Sequence, residues 1–173
     1  MDAELKGLKS KTMKISVFFL VLFLTSVISF SQEVKTISTT DEYQQVLDSY
    51  KDKVILVNFW ATWCPPCVKE FPELVKLQKN YTDEDFVLLF VSLDDKGDLE
   101  SKLKPFLKKQ GVDFTSYFGN FSNPESIMNY VDKSWQGEIP YTGLYNKKGK
   151  LVKTFLGSKT YEQFETEVKK LLE

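Results

Sequence analysis

Residues 58–74, NFWATWCPPCVKEFPEL, hold both cysteines of the chain, Cys64 and Cys67, in one tight turn behind Trp60 and Trp63 and around Pro65 and Pro66. Just upstream, Val54 to Trp60 is a nearly continuous run of β-branched and aromatic residues. It is short for a helix and has the composition of a strand buried on both faces. Downstream, Val68, Phe71, Leu74, Val75 and Leu77 fall on one broad face at helical spacing as far as about Tyr81, and Pro72 within that stretch predicts a kink. The two cysteines therefore stand where a buried strand hands over to an amphipathic helix.

Chemistry explains this placement better than stapling does. A disulfide stabilises mainly by restricting the unfolded chain, so a four-residue ring contributes about 2 kcal/mol against about 4.7 kcal/mol for a hundred-residue loop. Two thiolates also fall short of the four ligands of a structural zinc site, and the chain has no histidine to complete one. If the helix begins at Pro65 or Pro66, Cys64 occupies its N-cap region, where unpaired backbone N–H groups and the helix dipole favour a negative sulfur and lower its pKa. Cys67 is then close enough to attack a mixed disulfide formed at Cys64, so that one sulfur attacks and the other resolves. Trp63 is a candidate aromatic surface for a partner, whereas Trp60 reads as core.

The composition removes rival chemistries. A chain of 173 residues, 42% of them hydrophobic, can bury one substantial core and is expected to form one domain. Histidine and arginine are both absent, so every basic residue is lysine. A Ser-His-Asp triad, a Cys-His pair and a histidine-ligated zinc or haem are excluded, and bidentate arginine clamps are missing. The net charge is −1, and without a basic stripe no nucleic-acid partner is expected.

Beyond the cysteines the chain alternates. Thr39 to Glu42 reads as a capping box opening a helix with Tyr43, Val46, Leu47 and Tyr50 on one face. Phe86 to Leu93 is a second buried strand; Asp98 is placed to cap a helical stretch ending near Gly111 and interrupted by Pro105. Phe114 to Phe118 reads as a short strand, and Asn123-Pro124-Glu125 starts a helix to about Val131. Thr142–Tyr145 and Leu151–Phe155 flank the turn residues Asn146–Gly149 as a hairpin, and Thr160–Gln163 is a second capping box before a last helix. Phe114, Tyr117, Phe118, Phe121 and Trp135 read as core. The expected fold class is α/β: a central mixed β-sheet flanked by helices on both faces.

The stretch VNFWATWCPPC resembles the active-site strand and turn of the thioredoxin superfamily, and Asn58, Glu70 and Pro72 give it most likeness to the exported TlpA/ResA-like branch. The resemblance runs from about Lys53 to the C-terminus. It implies a thioredoxin-like fold with a TlpA/ResA-type insertion at about residues 95–132. It implies that Pro72 is the proline of the active-site helix and that Ile139-Pro140 is the cis-proline loop facing the cysteines, where a substrate backbone docks. Glu70 matches the acidic residue near the dithiol and is assigned proton transfer, a duty that otherwise falls to a water; the plain alternative is a solvated acid near a helix start. Two positions depart from the superfamily pattern: Asn58 stands where plain thioredoxins hold a buried aspartate, and Tyr141 where a small residue or threonine is usual. The activity implied is that of a protein disulfide reductase with no cofactor other than the redox-active Cys64–Cys67 disulfide and with no metal. The expected partners are protein disulfide or dithiol substrates and an upstream membrane dithiol donor, with the chain itself a monomer. Two alternatives stay open at this point: a peroxide-reducing redoxin, which commonly uses an arginine, and a non-enzymatic copper- or partner-binding module on the same fold.

The N-terminus reads separately. Lys6, Lys9, Lys11 and Lys14 precede a run without charge from Ile15 to Phe30, and Ser29 and Ser31 flank Phe30. This is the layout of a secretory signal, over residues 1–31, and Met13-Lys14 would itself begin a compact one. The run is shorter than the roughly 20 residues of a usual spanning helix, with an uncleaved anchor formed by residues 15–30 as the alternative. The expected location is the periplasm or cell envelope, with residues 32–173 forming the thioredoxin-like domain.

Overall fold

The computed structural model describes residues 33–173. The signal or anchor expected over residues 1–31 lies outside the described residues. Among the described residues no helix is long and apolar enough to cross a membrane.

The chain runs β1 (Val34–Ile37), α1 (Thr40–Ser49), β2 (Val54–Trp60), α2 (Pro65–Asn80), β3 (Phe86–Ser92), α3 (Lys104–Lys109), β4 (Ser116–Gly119), α4 (Pro124–Val131), β5 (Tyr141–Tyr145), β6 (Leu151–Leu156) and α5 (Tyr161–Leu172). The six strands form one sheet in the order β1-β4-β3-β2-β5-β6. β1, β4, β3 and β2 pair in parallel, while β5 is antiparallel to β2 and to β6. The mixed sheet with helices on both faces is as the sequence predicts.

β2 lies between β3 and β5, and all seven of its residues are buried. Strand side chains alternate between faces. Val54, Leu56 and Trp60 pack with Phe71, Leu74 and Leu77 of α2, Leu107 of α3 and Phe164 and Val168 of α5. Ile55, Val57 and Phe59 pack with Tyr43 and Leu47 of α1, Ile127 and Val131 of α4, and Trp135. A strand covered on both sides this way is held rigidly, and it delivers Cys64 at its C-terminal end.

Four local expectations change. β1 is absent from the sequence reading because VKTI is short and two of its residues are exposed, so only its pairing with β4 defines it. Glu42 does reach back, but Oε2 accepts from Ser38 N at 2.6 Å rather than from the N-cap amide, while Thr39 Oγ1 accepts from Glu42 N at 3.1 Å. Asp98 makes no cap hydrogen bond; its carboxylate takes Lys102 at 2.9 Å instead. The stretch it was expected to open is a 3₁₀ turn at Lys96–Asp98, a π-helical turn at Leu99–Leu103, and then α3. Pro105 falls in the first turn of α3, directly after the π-helical turn, and the stretch is divided there as the proline predicts. The short strand expected at Phe114–Phe118 forms at Ser116–Gly119.

The hairpin forms as predicted. Asn146 Oδ1 accepts from Lys148 N and Lys150 N at 3.0 and 3.1 Å, and Gly149 adopts φ +71°, a conformation open to glycine without a Cβ clash.

Candidate active site

Cys64 is the N-cap residue of α2, in extended conformation at φ −98° and ψ 102°. Its sulfur accepts from Cys67 N at 3.3 Å, and the two sulfurs are joined in a disulfide. The sequence predicts several helix amides around this sulfur, and the structure narrows them to one. Pro65 and Pro66 fill the first two helical positions and bring no N–H, while the amide of Cys64 itself donates to Ala61 O at 3.2 Å. The field at the sulfur is therefore one aimed amide plus the dipole of a long helix, whose first turn carries no acid.

Neither cysteine is freely exposed. Cys64 keeps 4% of its surface and Cys67 1%, whereas Trp63 beside them is 60% exposed. A partner sulfur must come in from the Cys64 side, over a surface on which Trp63 stands out.

The Ile139–Pro140 peptide is cis, and Cys64 Sγ lies 3.7 Å from the carbonyl oxygen of Ile139. Ile139 is half-buried and Pro140 buried, so the loop flanks the disulfide. Its approach is braced by Trp135, whose Nε1 donates to Glu138 O at 2.8 Å and whose ring stacks on Tyr141 at 4.3 Å. Tyr141 donates to Asp132 Oδ2 at 3.0 Å. The bulk of Tyr141 that departs from the thioredoxin pattern is thus directed into the core, 3% exposed, and not into the partner surface.

Glu70 sits one helical turn after Cys67 and is 2% exposed. It is not a solvated acid near a helix start. Oε1 accepts from Asn58 Nδ2 at 2.9 Å and Oε2 from Lys159 N at 2.9 Å. Burial pushes its carboxyl up to about 7, against the lowering effect of those two hydrogen bonds. A carboxyl in that range is shared between acid and carboxylate near neutral pH, the condition for giving and taking protons.

Three supporting contacts escape the sequence reading. Asn58 Nδ2 also donates to Thr142 Oγ1 at 2.8 Å, tying β2 to β5 under the site. The loop after β6 reaches both sides of it: Gly157 N donates to Pro140 O at 2.9 Å, and Lys159 N to Glu70 as above. Backbone donors carry no residue signature, which is why Gly157 and Lys159 leave no trace in the sequence.

The Redoxin family profile matches residues 29–172. The thiol-disulfide oxidoreductase ResA of Bacillus subtilis (strain 168) is 31% identical over 114 residues, covering 66% of this chain and 59% of that protein, so the match spans less than two thirds of the relative's length. Among solved structures, a thiol:disulfide interchange protein of the thioredoxin family from Chlorobium tepidum TLS superposes with a TM-score of 0.61 at 26% identity, covering 73% of this chain and 84% of its own. The pneumococcal exposed lipoprotein thioredoxin (Etrx1) from Streptococcus pneumoniae strain TIGR4 superposes with a TM-score of 0.54 at 25% identity, covering 72% and 90%.

Proposed function

This chain belongs to the Redoxin family, as a TlpA/ResA-like member of the thioredoxin superfamily, and from that premise we propose that it is an exported thiol-disulfide oxidoreductase that reduces disulfides in partner proteins. The observation that carries the reading is Cys64 Sγ at the N-cap of α2, with the Cys67 amide aimed at it.

In the reduced protein the Cys64 thiolate attacks one sulfur of a partner disulfide. A Cys64–partner bond forms, the partner's S–S bond breaks, and the released partner sulfur leaves as a thiolate that takes a proton from water. Cys67 then gives its proton to the Glu70 carboxylate and attacks Cys64 Sγ. The Cys64–Cys67 bond forms, the second partner sulfur leaves, and Glu70 returns the proton to it. Two electrons pass to the partner, and the chain ends oxidised, the form seen here. Trp63 and the Ile139–Pro140 loop are the surfaces against which the partner docks. No cofactor besides the disulfide and no metal enters the scheme. A membrane dithiol donor restores the reduced form, since an oxidising compartment supplies no reductant of its own.

The charge-free run from Ile15 to Phe30 and the lipoprotein placement of the pneumococcal neighbour support export. No specific observation favours a peroxidatic or copper-binding reading.

The test is alkylation of the reduced full chain against pH, with insulin reduction beside it. Cys64 is expected to react well below the pH of a free thiol, and Cys64→Ser to abolish insulin reduction; equal and slow reaction of both cysteines overturns the reading. A reduction potential clearly above that of the cellular glutathione pool overturns the reductive direction and selects a disulfide donor. Cell fractionation tests export, which fails if the chain stays in the cytoplasm.

A further inference from the structure

The loop Ala61–Thr62–Trp63 between β2 and α2 orients the attacking sulfur: Ala61 is anchored in the core, but beyond it Thr62 is half-buried and Trp63 is largely exposed. One side chain from a different strand grips it. Asp94 lies two residues past β3, is 4% exposed, and turns both carboxylate oxygens on Thr62. Thr62 N donates to Oδ1 at 3.0 Å and to Oδ2 at 3.1 Å, and the Thr62 hydroxyl donates to Oδ1. Ser92, 1% exposed, completes the cluster by donating from Oγ to Oδ2 at 2.6 Å while accepting from Asp94 N at 3.1 Å. Leu93 N donates to Trp60 O at 2.7 Å, which carries the β2–β3 ladder up to the grip.

Among the described residues no salt bridge involves Asp94. A buried carboxylate without a cation is costly unless its oxygens are hydrogen-bonded, and here most of its bonds come from one residue, two positions before Cys64. Moving Thr62 would strip a buried carboxylate of three bonds, so Thr62 has one stable position.

We infer that Asp94 is a positioning residue of the redox site: by clamping Thr62 it fixes the angle at which the chain enters the α2 N-cap, and so keeps Cys64 Sγ on the single amide available to it, Cys67 N–H. The inference rests on the dithiol-exchange reading above. Because Pro65 and Pro66 remove the neighbouring donors, the site has no second amide to compensate a displaced sulfur. The clamp therefore acts on the thiolate and not only on folding.

The experiment compares the reduced full chain as wild type, Asp94→Ala, Asp94→Asn and Thr62→Val by pH-dependent alkylation of Cys64, equilibration with glutathione and thermal unfolding. Asp94→Asn can turn its amide to Ser92 Oγ and keep one oxygen on Thr62, so it preserves the geometry while removing the charge. Asp94→Ala is expected to slow Cys64 alkylation near neutral pH roughly tenfold and to shift the glutathione equilibrium about tenfold, ~30 mV for a two-electron couple. Asp94→Asn is expected to stay close to wild type and Thr62→Val to fall between. If Asp94→Ala lowers only the melting temperature, the clamp is structural and the inference fails. If Asn and Ala move the alkylation profile equally, charge and not position is responsible, and it fails again. Should Asp94→Ala not fold, an unchanged profile in Thr62→Val is sufficient to overturn it. A wild-type Cys64 that never reacts as a thiolate defeats the exchange reading itself, which is a separate outcome.

Discussion

Helices α1 and α4 open on an oxygen: Thr39 Oγ1 accepts from Glu42 N and Asn123 Oδ1 from Glu125 N. α5 opens on a capping box, with Gln163 Oε1 accepting from Thr160 N at 2.9 Å. All three carry an acid in the first turn. α2 opens on a sulfur, has no acid in its first turn, and begins with two prolines. In α1, α4 and α5 the cap is a permanent side-chain oxygen, and the acids complement the dipole. At α2 the same positive end is left for a charge that comes and goes with the redox state. A cap built for stability and a cap built for chemistry thus differ in the group they leave unpaired.

The largest effect expected from breaking this contrast is at the sulfur itself. Cys64→Ser puts an ordinary cap on α2 and should abolish disulfide reduction while leaving the fold intact, read by insulin turnover and circular dichroism. Cys67→Ser should instead trap a Cys64–partner mixed disulfide, visible as a shifted band on non-reducing gels.

Next comes Glu70. Replacing it with glutamine should slow resolution of the mixed disulfide about a hundredfold, the lower range for a lost general acid–base group, as measured by stopped-flow release of a model thiol. Stability follows a definite sign. The folded carboxyl sits at about 7 against an ordinary 4.5, so between those values the folded state holds a proton that the unfolded chain has released. The stabilisation is full below about 4.5 and is lost as pH rises through 7, a fall of about 3 kcal/mol by linkage. Denaturant unfolding of the oxidised protein at about pH 5 and about pH 8 should show this slope, and Glu70→Gln should flatten it.

A smaller change sharpens the comparison. Pro66→Ala restores an N–H at the second helical position and gives the thiolate a second donor, so the Cys64 alkylation midpoint should fall by roughly one pH unit, the worth of one charge-assisted hydrogen bond. An unchanged midpoint would show that the second amide does not reach the sulfur. The smallest effect is at a structural cap: Thr39→Ala should cost about 1 kcal/mol of stability and leave Cys64 reactivity untouched.

The long elements were legible because their signal is local. β2 and β3 are runs of apolar residues, α2 and α5 show their faces at helical spacing, and Asn123 and Thr160 cap the helices the sequence says they cap. Asp98 misleads because its carboxylate meets Lys102 on the next turn, a competition that spacing alone does not settle. β1 was missed for the opposite reason: VKTI has no pattern of its own and becomes a strand only because β4 lies beside it.

The amino-acid order by itself determined the strand–cysteine–helix unit, the alternation that makes an α/β sheet, and the exclusion of histidine and arginine chemistry, because each depends on residues near one another in the chain or on composition. The tertiary structure alone decided that Glu70 is buried under Asn58 and Lys159, that Ile139 O lies against Cys64, and that Asp94 holds Thr62. Those contacts join residues 12 to 89 positions apart, and burial, which raises the Glu70 carboxyl, comes from packed neighbours that no short stretch of sequence contains.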